Sequence, residues 1–250
     1  MSLSMVRAQN LKFAESFDVV KKHFMREGFY STAITECVYD LITYYFAPII
    51  LKLKLSLNDI SLIRIALVIS CVLFTIFGGL EGWRIGFLLF FIANILDYVD
   101  GRVARATSKG TYFGHFIDGL IDIASETMIR FALAWGIYHQ FGFTPLFWLG
   151  ILSMMLTSFH IFLYDRYSAF ARWISSTNNM NISPVLQRKG LLKPQNVMWD
   201  LEWLSLFFSL AFFVQAIWIY FILSLIHQVF FITYIINGAH DNMRVPNEAH

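Results

Sequence analysis

The sequence predicts an all-α protein: a polytopic membrane bundle of about six transmembrane helices, with interfacial amphipathic helices at its N-terminus. Composition is the first reason, because 57% of the 250 residues are hydrophobic and only 14% are charged, unlike a soluble domain. Length is the second reason. Several apolar stretches approach the roughly 20 residues that a helix needs to cross a hydrocarbon core of about 30 Å. Membrane lipids are therefore the expected surroundings, and no nucleic-acid partner is expected.

Residues 1–54 are predicted to form a cytosolic or interfacial amphipathic segment. In residues 1–33, apolar side chains recur at helical intervals between lysines, which is typical of a basic helix on anionic lipid. A solvated helix packed on its own protein fits the same pattern. Residues 34–54 are more apolar but carry charges and Pro48, which favours an interfacial or partly buried helix. The rest of the chain divides into a transmembrane domain over 55–240 and a C-terminal tail over 241–250.

The first two spans lead directly to a group of acidic residues. Residues 60–80 are apolar except for two serines and Arg64, and they form the first predicted span. A tight polar connection is expected at residues 81–84. The second span then runs through residues 85–95 and ends at Asp97, so it delivers this carboxylate at its end.

A short turn over residues 107–111 precedes the third predicted span, which begins near Tyr112 and continues to about Ile137. The second and third spans therefore form a helical hairpin. Basic residues flank its turn, whereas Arg84 is the only basic residue in the other two short connections. The positive-inside rule places the N-terminus, this turn and the later polar loop in the cytosol.

The final third of the chain predicts a fourth span over residues 146–163, a polar loop over 165–200 and an apolar stretch over 203–236. As one helix, the apolar stretch of 34 residues would be about 51 Å long, which exceeds one bilayer crossing. No Gly or Pro marks a turn within it. Periodicity is compatible both with one long helix and with a hairpin.

Four aspartates at helical spacing are the candidate functional site. Asp97 and Asp100 are three residues apart, and Asp118 and Asp122 are four apart, so each pair lies on one helical face. Ionised carboxylates removed from water need paired, hydrated or metal-bound surroundings. Two opposed carboxylate faces would form an oxygen cage that suits Mg²⁺, Mn²⁺ or Ca²⁺, and no His or Cys stands nearby at a zinc-like spacing.

Residues 97–122 read D-x-x-D-G-x-x-A-R-x8-G-x-x-x-D-x-x-x-D. This run resembles the signature of the CDP-alcohol phosphotransferases, also called CDP-alcohol phosphatidyltransferases, at every fixed position. The resemblance implies six spans, with the 203–236 stretch folded as a hairpin that breaks near residues 215–218. It also implies a homodimer.

The resemblance implies transfer of a substituted phosphate group from a CDP-alcohol to an acceptor alcohol, with release of CMP. The expected cofactors are two Mg²⁺ or Mn²⁺ ions held by Asp97, Asp100 and Asp118. By its position in the signature, Asp122 is expected to be the catalytic base, with a role as fourth metal ligand left open.

The resemblance also implies contacts with the CDP-alcohol. Gly101, Ala104 and Gly114 are small where helices and nucleotide approach closely, although tight helix packing would favour the same residues. Arg105 has the fork geometry for phosphate oxygens. Asn58 lies in a segment similar to the family's Pro-Asn-x-hydrophobic-Thr motif, and a helix N-cap explains it equally well.

Glu126 and Arg130 continue the face of the last two aspartates along the third span. An internal ion pair is the favoured interpretation, with a lining of the acceptor pocket as the alternative. The residues that bind the acceptor are not predicted.

Three questions of function stay open in the sequence. CDP-diacylglycerol is the favoured donor, and the alternative is an aminoalcohol phosphotransferase that uses CDP-choline or CDP-ethanolamine with diacylglycerol. Residues 118–123 lack the Asp-Pro-x-x-Asp-Lys form that resemblance associates with glycerophosphate enzymes, which argues against that acceptor. A prenyltransferase and, in another class, an ion-coupled membrane transporter would also use intramembrane carboxylates.

Overall fold

The computed structural model describes residues 33–53, 55–107, 111–178, 194–211 and 216–243, and in these ranges it consists of helices without a strand. The helices in chain order are α1 (Ile34–Lys52), α2 (Leu57–Phe77), α3 (Gly79–Thr107), α4 (Tyr112–Phe141), α5 (Thr144–Asn178), α6 (Pro194–Ala211) and α7 (Ile217–Asn242). The all-α prediction is confirmed. The amphipathic helix predicted in residues 1–33 and most of the predicted tail lie outside the described residues.

Five of these helices, α1, α2, α3, α5 and α7, are long and apolar enough to cross a membrane. This property marks an integral membrane protein, as the composition predicts. Helix α1 belongs to the segment that the sequence assigned to the interface, yet it meets the same criteria of length and hydropathy. Helices α4 and α6, which carry charged side chains into the bundle, are not among the five.

The connection between α2 and α3 lies at Gly78 and Gly79, so the prediction of a turn at residues 81–84 is wrong. Gly79 has a φ of 60°, a left-handed conformation that glycine adopts without steric cost. A Cβ on Gly82 would lie 2.3 Å from the carbonyl oxygen of Phe74, so this glycine permits the close approach of the two helices. Glu81 and Arg84 form an exposed ion pair in the first turns of α3.

Two other boundaries differ from the sequence prediction. Helix α5 continues to Asn178, so the first part of the predicted polar loop 165–200 is helical, and the last part is the start of α6 at Pro194. Proline suits a first helical position, where its missing N–H has no partner to lose. The 203–236 stretch contains the end of α6 and the beginning of α7 at Ile217, which agrees with the predicted hairpin.

The bundle contains two main apolar clusters. The larger cluster contains residues of each helix from α2 through α7, and its large side chains include Trp83, Phe90, Leu133 and Phe221. The smaller cluster joins α1, α2 and α3, and Val99 of α3 is completely buried in it. Helix α3 contributes to both clusters. Its first half packs in the larger cluster, and its second half packs against α1 and α2.

Polar contacts tie α1 to the rest of the bundle. The carboxylate of Asp200 in α6 accepts hydrogen bonds from the backbone N–H groups of Ile34 and Thr35, each at 2.8 Å, and from the Thr35 hydroxyl at 2.7 Å. These bonds satisfy N–H groups that have no partner within a helix. Further along α1, Asp40 forms a largely buried ion pair with Arg102 of α3 at 2.7 Å.

A buried polar network joins α4, α6 and α7. The guanidinium of Arg130 pairs with Glu126 one turn earlier and with Glu202 of α6, the latter at 2.6 Å. The other carboxylate oxygen of Glu202 lies 2.5 Å from Nδ1 of the fully buried His227. The predicted ion pair between Glu126 and Arg130 is therefore present, and two partners that the sequence did not indicate extend it.

We expect Arg130→Gln to lower the free energy of unfolding by about 3 to 5 kcal/mol, because Glu126 and Glu202 would be left in the bundle without their cation. Denaturant titration in detergent micelles measures this loss. The control is Arg84→Gln, which removes an exposed pair and should cost less than about 1 kcal/mol. Equal losses in the two variants would contradict the assigned role of the network.

We expect Asp200→Ala to loosen the start of α1, because three hydrogen bonds to its first residues are lost, at a cost of about 1 to 2 kcal/mol. Hydrogen exchange of the α1 amides measures it. Asp59→Ala is the matched control, since Asp59 caps α2 with Ser56 and its loss should raise exchange in α2 alone. Unchanged exchange in α1 on loss of Asp200 would contradict the capping role.

Candidate active site

Three of the four predicted aspartates converge between α3 and α4. Asp97, Asp100 and Asp118 each place one carboxylate oxygen within 4.8 Å of the other two. The sequence predicted two opposed carboxylate faces, and the structure brings them together in this way. We call these three residues the carboxylate cage.

Local structure explains why these carboxylates face inward. Val99 is buried against α1, and the ring of Tyr98 stacks on Tyr39 of α1 with centroids 5.2 Å apart, which fixes the rotation of α3 about its axis. At the start of α4, the Thr111 hydroxyl accepts a hydrogen bond from the Gly114 N–H at 2.9 Å. This N-cap sets the register in which α4 presents its aspartates.

The cation that meets these carboxylates is Arg64 of α2, whose side chain is 2% exposed. Its Nη1 atom lies 2.5 Å from Oδ1 of Asp97 and 2.8 Å from Oδ1 of Asp118. Its Nη2 atom pairs with Oδ1 of Asp122. One guanidinium from α2 therefore joins α3 to α4 through three carboxylates.

Sequence reasoning treated Arg64 only as an interruption of the first span. A signal was present, because a charged side chain inside an apolar span needs counter-charges or water. The same argument that singled out the aspartates therefore applied to Arg64. Which carboxylates it meets depends on how α2, α3 and α4 are arranged, and that arrangement is not contained in the spacing.

Asp122 differs from the cage aspartates in its surroundings. It does not belong to the group of three converging oxygens, and 44% of its side chain is exposed. Asp165 of α5, an exposed residue, adds a further negative charge within electrostatic range of it. Asp122 is thus held to the site by Arg64 rather than by the convergence of carboxylates.

The cage suits a divalent metal ion. Its donors are hard carboxylate oxygens, which Mg²⁺ and Mn²⁺ prefer, and they are close enough together to share an ion. A guanidinium lies between two of them, which shows that this position accommodates a cation. Four ionised aspartates against one arginine would also leave three negative charges unbalanced.

The other predicted site residues lie along the same helices. Gly101 and Ala104 follow the cage in α3 and are half-buried, and Gly114 is exposed in the first turn of α4. The side chain of Arg105 lies outside the described residues. Asn58 is exposed in the first turn of α2, but it is not the N-cap: Ser56 is, through a reciprocal pair of bonds with Asp59 at 2.9 and 3.1 Å.

Two curated relatives are similar to part of the chain. A CDP-diacylglycerol--glycerol-3-phosphate 3-phosphatidyltransferase from Haemophilus influenzae is 33% identical over 88 residues, which are 35% of this chain and 42% of the relative. A phosphatidylinositol phosphate synthase from Corynebacterium glutamicum is 28% identical over 95 residues, which are 38% of this chain and 42% of the relative. The chain thus matches less than half the length of either relative.

The match to a family model is more extensive. It covers residues 57–238, from the first residue of α2 to the last part of α7, and so includes the carboxylate cage, Arg64 and Asp122. This range is most of the chain. The protein belongs to the CDP-alcohol phosphatidyltransferase family.

Proposed function

We propose that the protein transfers a phosphatidyl group from CDP-diacylglycerol to the hydroxyl of a polar acceptor alcohol and releases CMP. The observation that carries the proposal is the convergence of Asp97, Asp100 and Asp118 within 4.8 Å, in a family defined by CDP-alcohol substrates. Family membership favours this transferase over the prenyltransferase and the ion-coupled transporter that the sequence also suggested.

In the proposed reaction, the acceptor oxygen attacks the phosphorus that carries the diacylglycerol. A new P–O bond forms, the P–O bond to CMP breaks, and CMP leaves with the bridging oxygen. Members of this family depend on a metal. Mg²⁺ or Mn²⁺ ions held by Asp97, Asp100 and Asp118 would neutralise the diphosphate and stabilise the CMP leaving group.

Asp122 is the proposed catalytic base, which takes the proton of the acceptor hydroxyl. Three observations support the role: it lies outside the three converging oxygens, it is the most exposed of the aspartates that Arg64 contacts, and its described contact with Arg64 uses Oδ1. The second oxygen, Oδ2, is then available to accept the proton. A base must be near the reacting group without being fully committed to metal.

The remaining residues of the signature are proposed to bind the CDP-alcohol. Gly101 and Ala104 follow Asp100 directly on α3, and their small side chains would allow the nucleotide to approach the helix. Gly114 offers the same at the start of α4. We keep Arg105 as a phosphate contact and Asn58 as a weaker nucleotide contact on the strength of the sequence alone.

The names of the two relatives bear on the acceptor. One is named for glycerol 3-phosphate and the other for a phosphatidylinositol phosphate product, so a phosphorylated alcohol is the first class to test. The absence of the Asp-Pro-x-x-Asp-Lys form in residues 118–123 argues against glycerol phosphate, so inositol phosphate is the first acceptor that we test. The proposal also includes a homodimer, which the family implies. It includes a site on the cytosolic side, which is supported by the basic residues between α3 and α4 in the sequence.

We expect the purified protein in detergent to release CMP from CDP-diacylglycerol only when an acceptor and Mg²⁺ or Mn²⁺ are both present. The acceptor panel is inositol phosphate, inositol, glycerol phosphate and serine, and mass spectrometry identifies the product lipid. EDTA should abolish the release. If CMP is released only from CDP-choline or CDP-ethanolamine with diacylglycerol, the aminoalcohol reaction replaces the proposed one. If no substrate pair releases CMP, both reactions are contradicted.

We expect Asp122→Asn to reduce turnover by about 10² to 10⁴, the typical contribution of a general base, while CDP-alcohol binding is largely kept. Asp97→Asn should instead weaken metal-dependent CDP-alcohol binding, because the cage loses a ligand. Equilibrium binding of the CDP-alcohol with and without metal, measured beside turnover, separates the two roles. Equal loss of binding in both variants would remove the separate base role of Asp122.

A further inference from the structure

Arg64 occupies the position of a metal ion that would share Oδ1 of Asp97 and Oδ1 of Asp118. Its Nη1 atom lies between Oδ1 of Asp97 and Oδ1 of Asp118, at 2.5 and 2.8 Å. A Mg²⁺ ion bound by the same two oxygens would lie about 2.0 to 2.1 Å from each. The two cations cannot occupy this space together, and their like charges would also repel each other at such a distance.

The described ion pairs of these aspartates all involve this one arginine. Arg64 is 2% exposed, so without carboxylate partners it would be a buried charge with no compensation. The aspartates need a counter-charge for the same reason. In the absence of metal, the contacts of Arg64 therefore stabilise α2, α3 and α4 against one another.

A cation that stabilises the metal-free bundle by binding the metal ligands must also oppose metal binding. The free energy that Arg64 contributes through Asp97 and Asp118 is lost when a metal takes those oxygens. The measured affinity for the metal is reduced by the same amount, as it is for any two ligands that compete for one site.

We propose that Arg64 is an internal cation that exchanges with the divalent metal. It binds the cage aspartates in the metal-free protein, and it moves away from Asp97 and Asp118 when the metal binds. This inference rests on the proposed function in one respect only, namely that the carboxylate cage binds a divalent metal. It assigns to Arg64 a competing role in metal loading, besides its structural role.

A purely structural role for Arg64 predicts the opposite result. If the arginine kept its contacts when the metal bound and only positioned the carboxylates, then its removal would scatter them and weaken metal binding. Exchange predicts that removal strengthens metal binding. The sign of the change in affinity therefore distinguishes the two roles, and no substrate is needed to measure it.

The first test is a Mn²⁺ titration of the full chain in detergent, with free Mn²⁺ followed by electron paramagnetic resonance. We expect Arg64→Gln to lower the dissociation constant for Mn²⁺ by about tenfold or more, the effect of removing a close competing charge. Arg84 is an exposed arginine in the first turns of α3, so Arg84→Gln should leave the dissociation constant for Mn²⁺ unchanged. An unchanged or larger dissociation constant in Arg64→Gln would overturn the exchange.

The second test is the melting temperature in EDTA and in Mn²⁺. In EDTA, Arg64→Gln should melt below the wild type, and Mn²⁺ should raise its melting temperature more than it raises that of the wild type. Arg130 is a buried arginine about 12 Å along α4 from Asp122. Arg130→Gln should therefore lower the melting temperature by the same amount in EDTA and in Mn²⁺. An equal metal effect in Arg64→Gln and the wild type would count against the exchange.

A conservative variant keeps both tests decisive if Arg64→Gln does not fold. Arg64→Lys retains the charge, but a single ammonium cannot bridge three carboxylates as a guanidinium does. It should show the same two changes with smaller size, and the opposite sign would again overturn the proposal. Because neither test uses CDP-alcohol, a failed transferase assay leaves these results interpretable, and a failed exchange leaves the transferase proposal untouched.

Discussion

The structure depends on the need of each buried charge for an opposite charge. Inside a membrane-embedded bundle, an ionised side chain that is neither hydrated nor paired costs several kcal/mol. Arg64 meets this need with Asp97, Asp118 and Asp122, and Arg130 meets it with Glu126 and Glu202. The two arginines thus join α2, α3, α4 and α6 through buried ion pairs.

Pairing of this kind gives the bundle a specificity that apolar contact alone lacks. Lipid tails are as apolar as the leucines and phenylalanines of these helices, so apolar packing does not strongly favour one helix partner over another. The contacts of Asp200 with the start of α1 and of Asp40 with Arg102 are directional and join helices far apart in sequence. The first places the start of α1 against α6, and the second places α1 against α3, where its Tyr39 ring stacks on Tyr98 beside Asp97.

The sequence predicted what depends on local spacing. Asp97 and Asp100, and Asp118 and Asp122, were each placed on one helical face because helical periodicity is a local property, and the hairpin was predicted from the short turn between two apolar spans. Arg64 was missed because its partners are 54 and 58 residues away in Asp118 and Asp122. Boundaries were misplaced where polar residues continue a helix, as in α5 up to Asn178, or where a left-handed glycine allows one helix to follow another almost directly, as at Gly79.

The proposed division of roles among the four aspartates rests on the same arginine. Spacing alone makes Asp122 equivalent to Asp118, since both lie on one face of α4. In the folded protein, Asp118 converges with two carboxylates, whereas Asp122 is more exposed and meets the site through Nη2 of Arg64. Carboxylates in different surroundings can serve as acid, base or ligand within one site. The position of Arg64 therefore supports separate roles for two residues that the signature presents as a pair.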